Sequence, residues 1–152
     1  MNVLRDIYMR TQKRDLKMYL DADVFLGWLK VTDWLKLSAE KAINDVEKGT
    51  IKGITSAATI VELNVVVKRD IGKEEGEQVL ERVRSVKNLD IVSLDLDILE
   101  RAFELQKQYG LGIFDSLHAS ACYLRDENRE IISTDKALDG VDGINRIDLR
   151  DY

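Results

Sequence analysis

The sequence contains no proline and only one cysteine, Cys122. Without proline there is no Pro-rich linker to mark a domain boundary. A lone cysteine excludes an internal disulfide and fits a reducing, cytoplasmic setting. No apolar run approaches the ~20 residues of a membrane span. The N-terminal residues lack the apolar core and small-residue site of a secretory signal. No internal repeat is visible, which sets aside solenoids and propellers. With one histidine, His118, beside the one cysteine, no His/Cys cluster is available to build a zinc site.

What is present is an ordinary globular composition, 45% hydrophobic and 34% charged over 152 residues. That length favours one domain, able to bury roughly 68–70% of its unfolded surface without disulfide or structural metal. The net charge of −5, from 23 basic and 28 acidic residues, argues against non-specific clinging to nucleic acid. It leaves room for a local basic groove beside an acidic site.

The chain is organised around Met18-Tyr19-Leu20-Asp21-Ala22-Asp23-Val24-Phe25. A short apolar run stops at Asp21 and Asp23, and an amphipathic pattern follows. This reads as buried strand, turn and helix. In open α/β sheets ligands sit beyond the carboxyl ends of the strands, so Asp21 stands where chemistry would be placed. Residues 1–17 form an N-terminal extension and 18–152 a single domain. Within the extension Val3, Leu4, Ile7 and Tyr8 lie at helical spacing, and Arg10, Lys13, Arg14 and Lys17 follow. A short helix or tail is the plain reading; a basic arm for a nucleic-acid backbone is the functional one. Met18 could equally be the start of the chain.

Further strands are expected at Ile51–Ser56, Leu89–Leu94, Glu130–Asp135 and Asn145–Leu149, with helices between them. The helix through Ile60–Val67 is rich in β-branched residues, but its length favours helix over strand. Ser56 can cap it, Gly49 and Gly110 read as helix stops, and Asp70–Gly76 is a polar interruption. Strands alternating with helices predict a three-layer α/β/α sandwich with a mainly parallel central sheet.

Asp21 and Asp135 both follow strands, while Glu62 and Asp115 sit early in helices. Each has a plain explanation: Glu62 a solvent-facing residue, Asp115 a helix starter favoured by the dipole. Gathered at one sheet edge, four carboxylates could not all stay ionised, and a divalent cation removes that conflict. Oxygen donors of this kind suit Mg²⁺ or Mn²⁺, and two such ions can stabilise the attacking and leaving oxygens of a phosphodiester. His118 reads as a packing or surface residue, since nothing nearby suggests a triad. Cys122 reads as inert core. Arg82, Arg84 and Lys87 read as a solvated face, or as phosphate-gripping groups if they edge the acidic pocket.

Four segments carry a family resemblance: Leu20-Asp21-Ala22-Asp23-Val24-Phe25, Thr59-Ile60-Val61-Glu62-Leu63, Phe114-Asp115-Ser116-Leu117-His118-Ala119-Ser120-Ala121 and Ile132-Ser133-Thr134-Asp135. With them the chain resembles the PIN-domain nucleases, and within these the VapC-like toxins of prokaryotic toxin–antitoxin pairs. The resemblance implies Mg²⁺- or Mn²⁺-dependent RNA cleavage, with Asp21, Glu62, Asp115 and Asp135 as catalytic, metal-binding acids. It also implies a homodimer and an antitoxin whose segment occupies the acidic groove. The second position after the first acid is often Asn or Ser in such proteins; here it is Asp23, read as a helix cap or a water-mediated metal contact. Thr134 is read as holding Asp135 or a metal-bound water.

Two alternatives stand beside this. Asp21-Ala22-Asp23-Val24 also matches the opening motif of haloacid-dehalogenase-like phosphatases. There Asp21 would be the nucleophile and Asp23 the general acid–base residue, with Thr55 or Ser56, and Asp135 with Asp139, imitating later motifs. The other is a PIN-like fold that binds RNA without cleaving it.

Overall fold

The computed structural model describes residues 16–30 and 32–152; of the extension expected over residues 1–17, Leu16 instead packs into the core and Lys17 opens the first strand, and the rest, with its expected helix or basic arm, lies outside the described residues. Five strands form one sheet in the order β3-β2-β1-β4-β5: β1 Lys17–Leu20, β2 Lys52–Ser56, β3 Leu89–Val92, β4 Glu130–Ser133 and β5 Asn145–Asp148. Every neighbouring pair is parallel. The helices are α1 Ala22–Leu29, α2 Lys36–Glu47, α3 Ala57–Asp70, α4 Lys73–Glu77, α5 Val79–Arg84, α6 Leu96–Tyr109 and α7 Ile113–Arg125, with 3₁₀ turns at Lys136–Gly140 and Leu149–Asp151.

The sheet separates two apolar cores, because alternate strand residues point to opposite faces. Met18, Leu20, Ile132 and Ile147 face α1, α2 and α5. Tyr19, Ile54 and Ile131 face α6 and α7. Helix α3 contributes Leu63 and Val67 to the first core and Ala58 to the second. Helices therefore cover both faces, the arrangement that lets an all-parallel sheet bury its strands. Among the described residues no helix is long and apolar enough to cross a membrane.

Chain order decides where a site can form. From β1 the chain steps to β2 and β3 on one side, and later to β4 and β5 on the other. The crevice at the carboxyl ends of β1 and β4 is thus the topological switch point. The backbone N–H of Asp21 donates to Ile132 O at 3.1 Å and carries the β1–β4 pairing to that edge.

Four local details bear on the sequence reading. The β-branched segment after β2 is a 14-residue helix, since one stripe of it is buried against both cores. Ser56 occupies the N-cap of α3 without capping through its side chain; its hydroxyl is 2.7 Å from Tyr19 OH instead. The polar interruption contains the short helix α4, which buries only Gly76 and so leaves no apolar period to detect. Gly110 ends α6 in the left-handed conformation, φ 68°, as a C-terminal stop requires.

Gly53 fixes how closely α2 can approach the sheet. A Cβ at this position would lie 2.8 Å from Val46 Cγ1 and 3.0 Å from Leu89 Cδ1. Val46 is β-branched and fully buried, so it cannot turn aside. Gly53→Ala is expected to cost about 1–3 kcal/mol by overpacking and to lower Tm by roughly 3–10 °C. Thermal melts followed by circular dichroism measure this; an unchanged Tm would mean that α2 can move away from β2.

Candidate active site

Asp21 is the residue after β1 and the N-cap of α1, where its carboxylate accepts from Ala22 N at 2.6 Å. It is only 4% exposed. Its other oxygen accepts from the Ser133 hydroxyl at the end of β4, 2.5 Å away. The same Ser133 oxygen accepts from the backbone N–H of Asp135 at 3.0 Å. One hydroxyl thus joins two of the acids singled out in the sequence.

Glu62 lies in the second turn of α3 and leans over the strand ends instead of facing solvent. Its Oε2 is 2.6 Å from His118 Nε2, which in turn is 3.3 Å from Asp21 Oδ1. One donor atom each from Asp21, Glu62 and His118 fall within 4.8 Å of one another. Asp115, in the first turn of α7, lies beside Asp135 and near enough to Asp21 to feel its charge. Asp135 also caps the following 3₁₀ turn, accepting from Ala137 N at 2.8 Å. The acids therefore come from the residue after β1, from α3, from α7 and from the segment after β4: Asp21 and Glu62 share the cluster around His118, while Asp115 and Asp135 pair beside it, with Asp115 near Asp21.

The supporting residues behave differently from their sequence reading. Asp23 does not cap α1, because Asp21 does; Asp23 sits in the first turn and accepts from Thr134 N at 3.2 Å and from the Thr134 hydroxyl. Thr134 accordingly holds Asp23, not Asp135. The two contacts tie α1 to the turn after β4.

His118 is a correction of a larger kind. It is neither surface nor plain packing: 1% exposed, it sits between two carboxylates. Its Nδ1 is 3.0 Å from Tyr19 OH and 3.4 Å from Thr59 Oγ1, and Thr59 Oγ1 is 2.8 Å from Thr55 Oγ1. The signal available in the sequence was its spacing: His118 follows Asp115 by three residues, one helical turn, and so shares its face. Arg82 and Arg84 lie on α5 in local contacts, Arg82 over the Trp28 ring at 5.2 Å and Arg84 with Glu81 at 3.5 Å. Cys122 is fully buried, and burial pushes its thiol well above the usual range, as befits inert core.

Crowding shifts the titration of these groups. Burial raises Asp21 to about 6; His118 and the Ser133 hydroxyl oppose this, while Asp23 and Glu62 add to it. Burial raises Asp115 to about 7, with further contributions from the charge and hydrogen bonding of Asp135 and the charge of Asp21. Burial alone would depress the His118 imidazole, but Tyr19, Asp21 and Glu62 outweigh it and hold the ring well above its ordinary value. The donor set fits a divalent cation: hard carboxylate oxygens dominate it, and their mutual repulsion is what a cation would relieve.

A sign follows for stability without metal. Between about pH 4 and 7 the folded protein keeps protons on Asp21 and Asp115 that the unfolded chain, with carboxyl values near 3.8, has released. These two groups therefore make stability fall as pH rises through that window. Asp115→Asn is expected to flatten the fall, raising Tm at pH 8 by roughly 3–8 °C, from about 1–3 kcal/mol of relieved strain after screening, with little change at pH 4. Chelator-treated protein melted across pH 4–8 provides the comparison. An Asp115→Asn curve parallel to wild type would show that the carboxyl is not held protonated.

The sequence model of the PIN domain matches residues 18–144. No curated protein sequence matches the chain. Among solved structures, the chain is similar to VapBC2 from Rickettsia felis bound to a DNA fragment from its promoter, with TM-score 0.66 and 18% identity over 87% of this chain and 98% of that one. It is similar to VapC20 of Mycobacterium tuberculosis, described as a sarcin–ricin loop cleaving toxin, with TM-score 0.66 and 12% identity over 80% and 92% of the two chains. It is also similar to DNA-bound VapBC from Salmonella typhimurium, with TM-score 0.62 and 15% identity over 88% and 98%. At these identities the likeness is one of fold, and it agrees with the domain match: the chain belongs to the PIN-domain family.

Proposed function

We propose that the chain is a metal-dependent endoribonuclease of the cytoplasm, the toxin of a toxin–antitoxin pair, acting as a homodimer with residues 18–152 as its catalytic domain. The observation that supports the proposal is the gathering of acids from separate elements at the switch point of a PIN fold, Asp21 and Glu62 around His118 and Asp115 paired with Asp135 near Asp21. The similar solved proteins support the biological setting, among them VapBC and toxin–antitoxin complexes and a sarcin–ricin loop cleaving toxin.

Asp21, Glu62, Asp115 and Asp135 would hold one or two Mg²⁺ or Mn²⁺ ions. A bound cation supplies Lewis-acid stabilisation of the charge that develops on a phosphodiester under in-line attack. The residues themselves set the geometry. Ser133 fixes the rotamer of Asp21 and the backbone of Asp135 together. Asp23 and Thr134 prevent α1 and the β4 turn from drifting apart. Burial of Asp21 excludes water from the inner side of the site, which strengthens every charge interaction there. An antitoxin segment entering the acidic groove would block access to the same carboxylates.

The phosphatase alternative fits the structure poorly. Thr55 is fully buried and donates its hydroxyl to Leu20 O at 2.8 Å, so it cannot reach a phosphate. Asp139 is engaged by Arg146 at 2.6 Å.

Asp21→Asn and Asp115→Asn are each expected to lower RNA cleavage on the order of 10³-fold, the scale of losing one charge-organising contact, while circular dichroism stays native. Chelation should abolish wild-type cleavage and Mn²⁺ restore it. Cleavage that survives both substitutions, or that persists in chelator, would remove the proposal.

A further inference from the structure

At the centre of the acidic cluster is a nitrogen donor. His118 is the only histidine in the chain, and its ring is 1% exposed. Nε2 points into the space shared by Glu62 Oε2 at 2.6 Å and Asp21 Oδ1 at 3.3 Å. Among the described residues this is the one set of three or more acidic, histidine or cysteine side chains whose donor atoms lie this close, within 4.8 Å of one another.

The opposite edge of the ring is equally defined. Nδ1 meets Tyr19 OH at 3.0 Å, and Tyr19 OH meets Ser56 Oγ at 2.7 Å; all three side chains are buried. A hydroxyl can accept as well as donate. Nδ1–H can therefore donate to Tyr19, and Tyr19 to Ser56; without a cation Nε2–H donates toward the carboxylates, and a cation that displaces this proton would meet the Nε2 lone pair between them. A ligating imidazole is normally oriented in this way, its other ring nitrogen held by a partner outside the metal's own shell. Thr59, 3.4 Å from Nδ1, and the tilted packing of the Tyr19 ring at 5.9 Å leave the imidazole no room to swing away. An ion drawn between Asp21 and Glu62 must meet Nε2.

Building on the reading of this pocket as a cation site, we propose that His118 is itself a ligand of the bound ion through Nε2, and that this nitrogen makes the site prefer Mn²⁺ and later first-row ions to Mg²⁺. Imidazole suits transition ions, whereas Mg²⁺ favours carboxylate, carbonyl and water oxygen. Oxygen donors alone would discriminate little between Mg²⁺ and Mn²⁺.

The experiment uses the tag-free full chain, so that His118 is the sole source of imidazole. Mn²⁺ and Mg²⁺ are titrated calorimetrically into wild type and His118→Gln. The Mn²⁺-loaded proteins are then examined by electron spin-echo envelope modulation, which detects nitrogen bound to manganese. Wild type is expected to show imidazole nitrogen coupling and to bind Mn²⁺ at least about tenfold tighter than Mg²⁺. His118→Gln is expected to lose the coupling and most of the preference while retaining Mg²⁺ binding. Mn²⁺ bound to wild type without nitrogen coupling overturns the proposal and leaves the cation site intact. Equal loss of both ions in His118→Gln, with no preference in wild type, also overturns it and makes His118 a positioning residue. Failure of wild type to bind either ion removes the underlying cation site as well. Should His118→Gln not fold, the wild-type spectrum alone decides.

Discussion

The burial of carboxylates crowded together at the carboxyl ends of β1 and β4 is the constraint to which the rest of the structure responds. A parallel sheet with helices on both faces directs its strand ends into one crevice, and this chain places an acid at each approach to it. Burial leaves Asp21 and Asp115 protonated far above the ordinary carboxylate range. The folded protein tolerates this because the acids are held by short contacts that a relaxed chain would not maintain. Ser133 bridges Asp21 and Asp135, Thr134 bridges to Asp23, and His118 lies between Asp21 and Glu62. A site so arranged is destabilising by itself and has the donor chemistry to hold a cation, a trade common at functional sites.

Behind this front lies a second layer on β5. Arg146, its side chain 7% exposed, binds Asp139 at 2.6 Å and Asp148 at 3.0 Å and donates to Ser133 O at 3.0 Å. Arg150 donates to Thr134 O at 3.1 Å and pairs with Asp148 at 2.6 Å. The carbonyls of the turn that carries Asp135 are thus gripped from the side opposite the site. Hydrogen bonds from Arg150, together with Arg146, hold Asp148 well below the usual carboxylate range, and hydrogen bonding to Arg146 lowers Asp139. Both guanidinium groups are committed to acids on this rim, so they stiffen the turn without cancelling the negative charge that faces the crevice.

The relation to toxin structures is one of architecture, and architecture alone does not assign chemistry. The fold explains why acids from distant segments meet. The side chains around them, in particular the Tyr19–His118–Glu62 chain on the α7 side, give this pocket its own donor chemistry.

Much of this was legible in the sequence. The five strands, the helical character of the β-branched α3 and the layered fold follow from period and length, which are local properties. The four acids could be singled out because each stands at a strand end or a helix start. Asp23, Thr134 and His118 take partners that local pattern does not predict, for one reason. Their partners lie 111, 111 and 56 residues away, at Thr134, Asp23 and Glu62. Ser56, a sound helix cap by local rules, was likewise taken by Tyr19 across β1 and β2. Local pattern determined which segments are strand or helix and which residues stand at their ends. Only the tertiary structure decided which hydroxyl holds which carboxylate and that the single histidine joins them. A short polar side chain bonds to whatever the strand order β3-β2-β1-β4-β5 places within 3 Å of it, and strand order is not a local property.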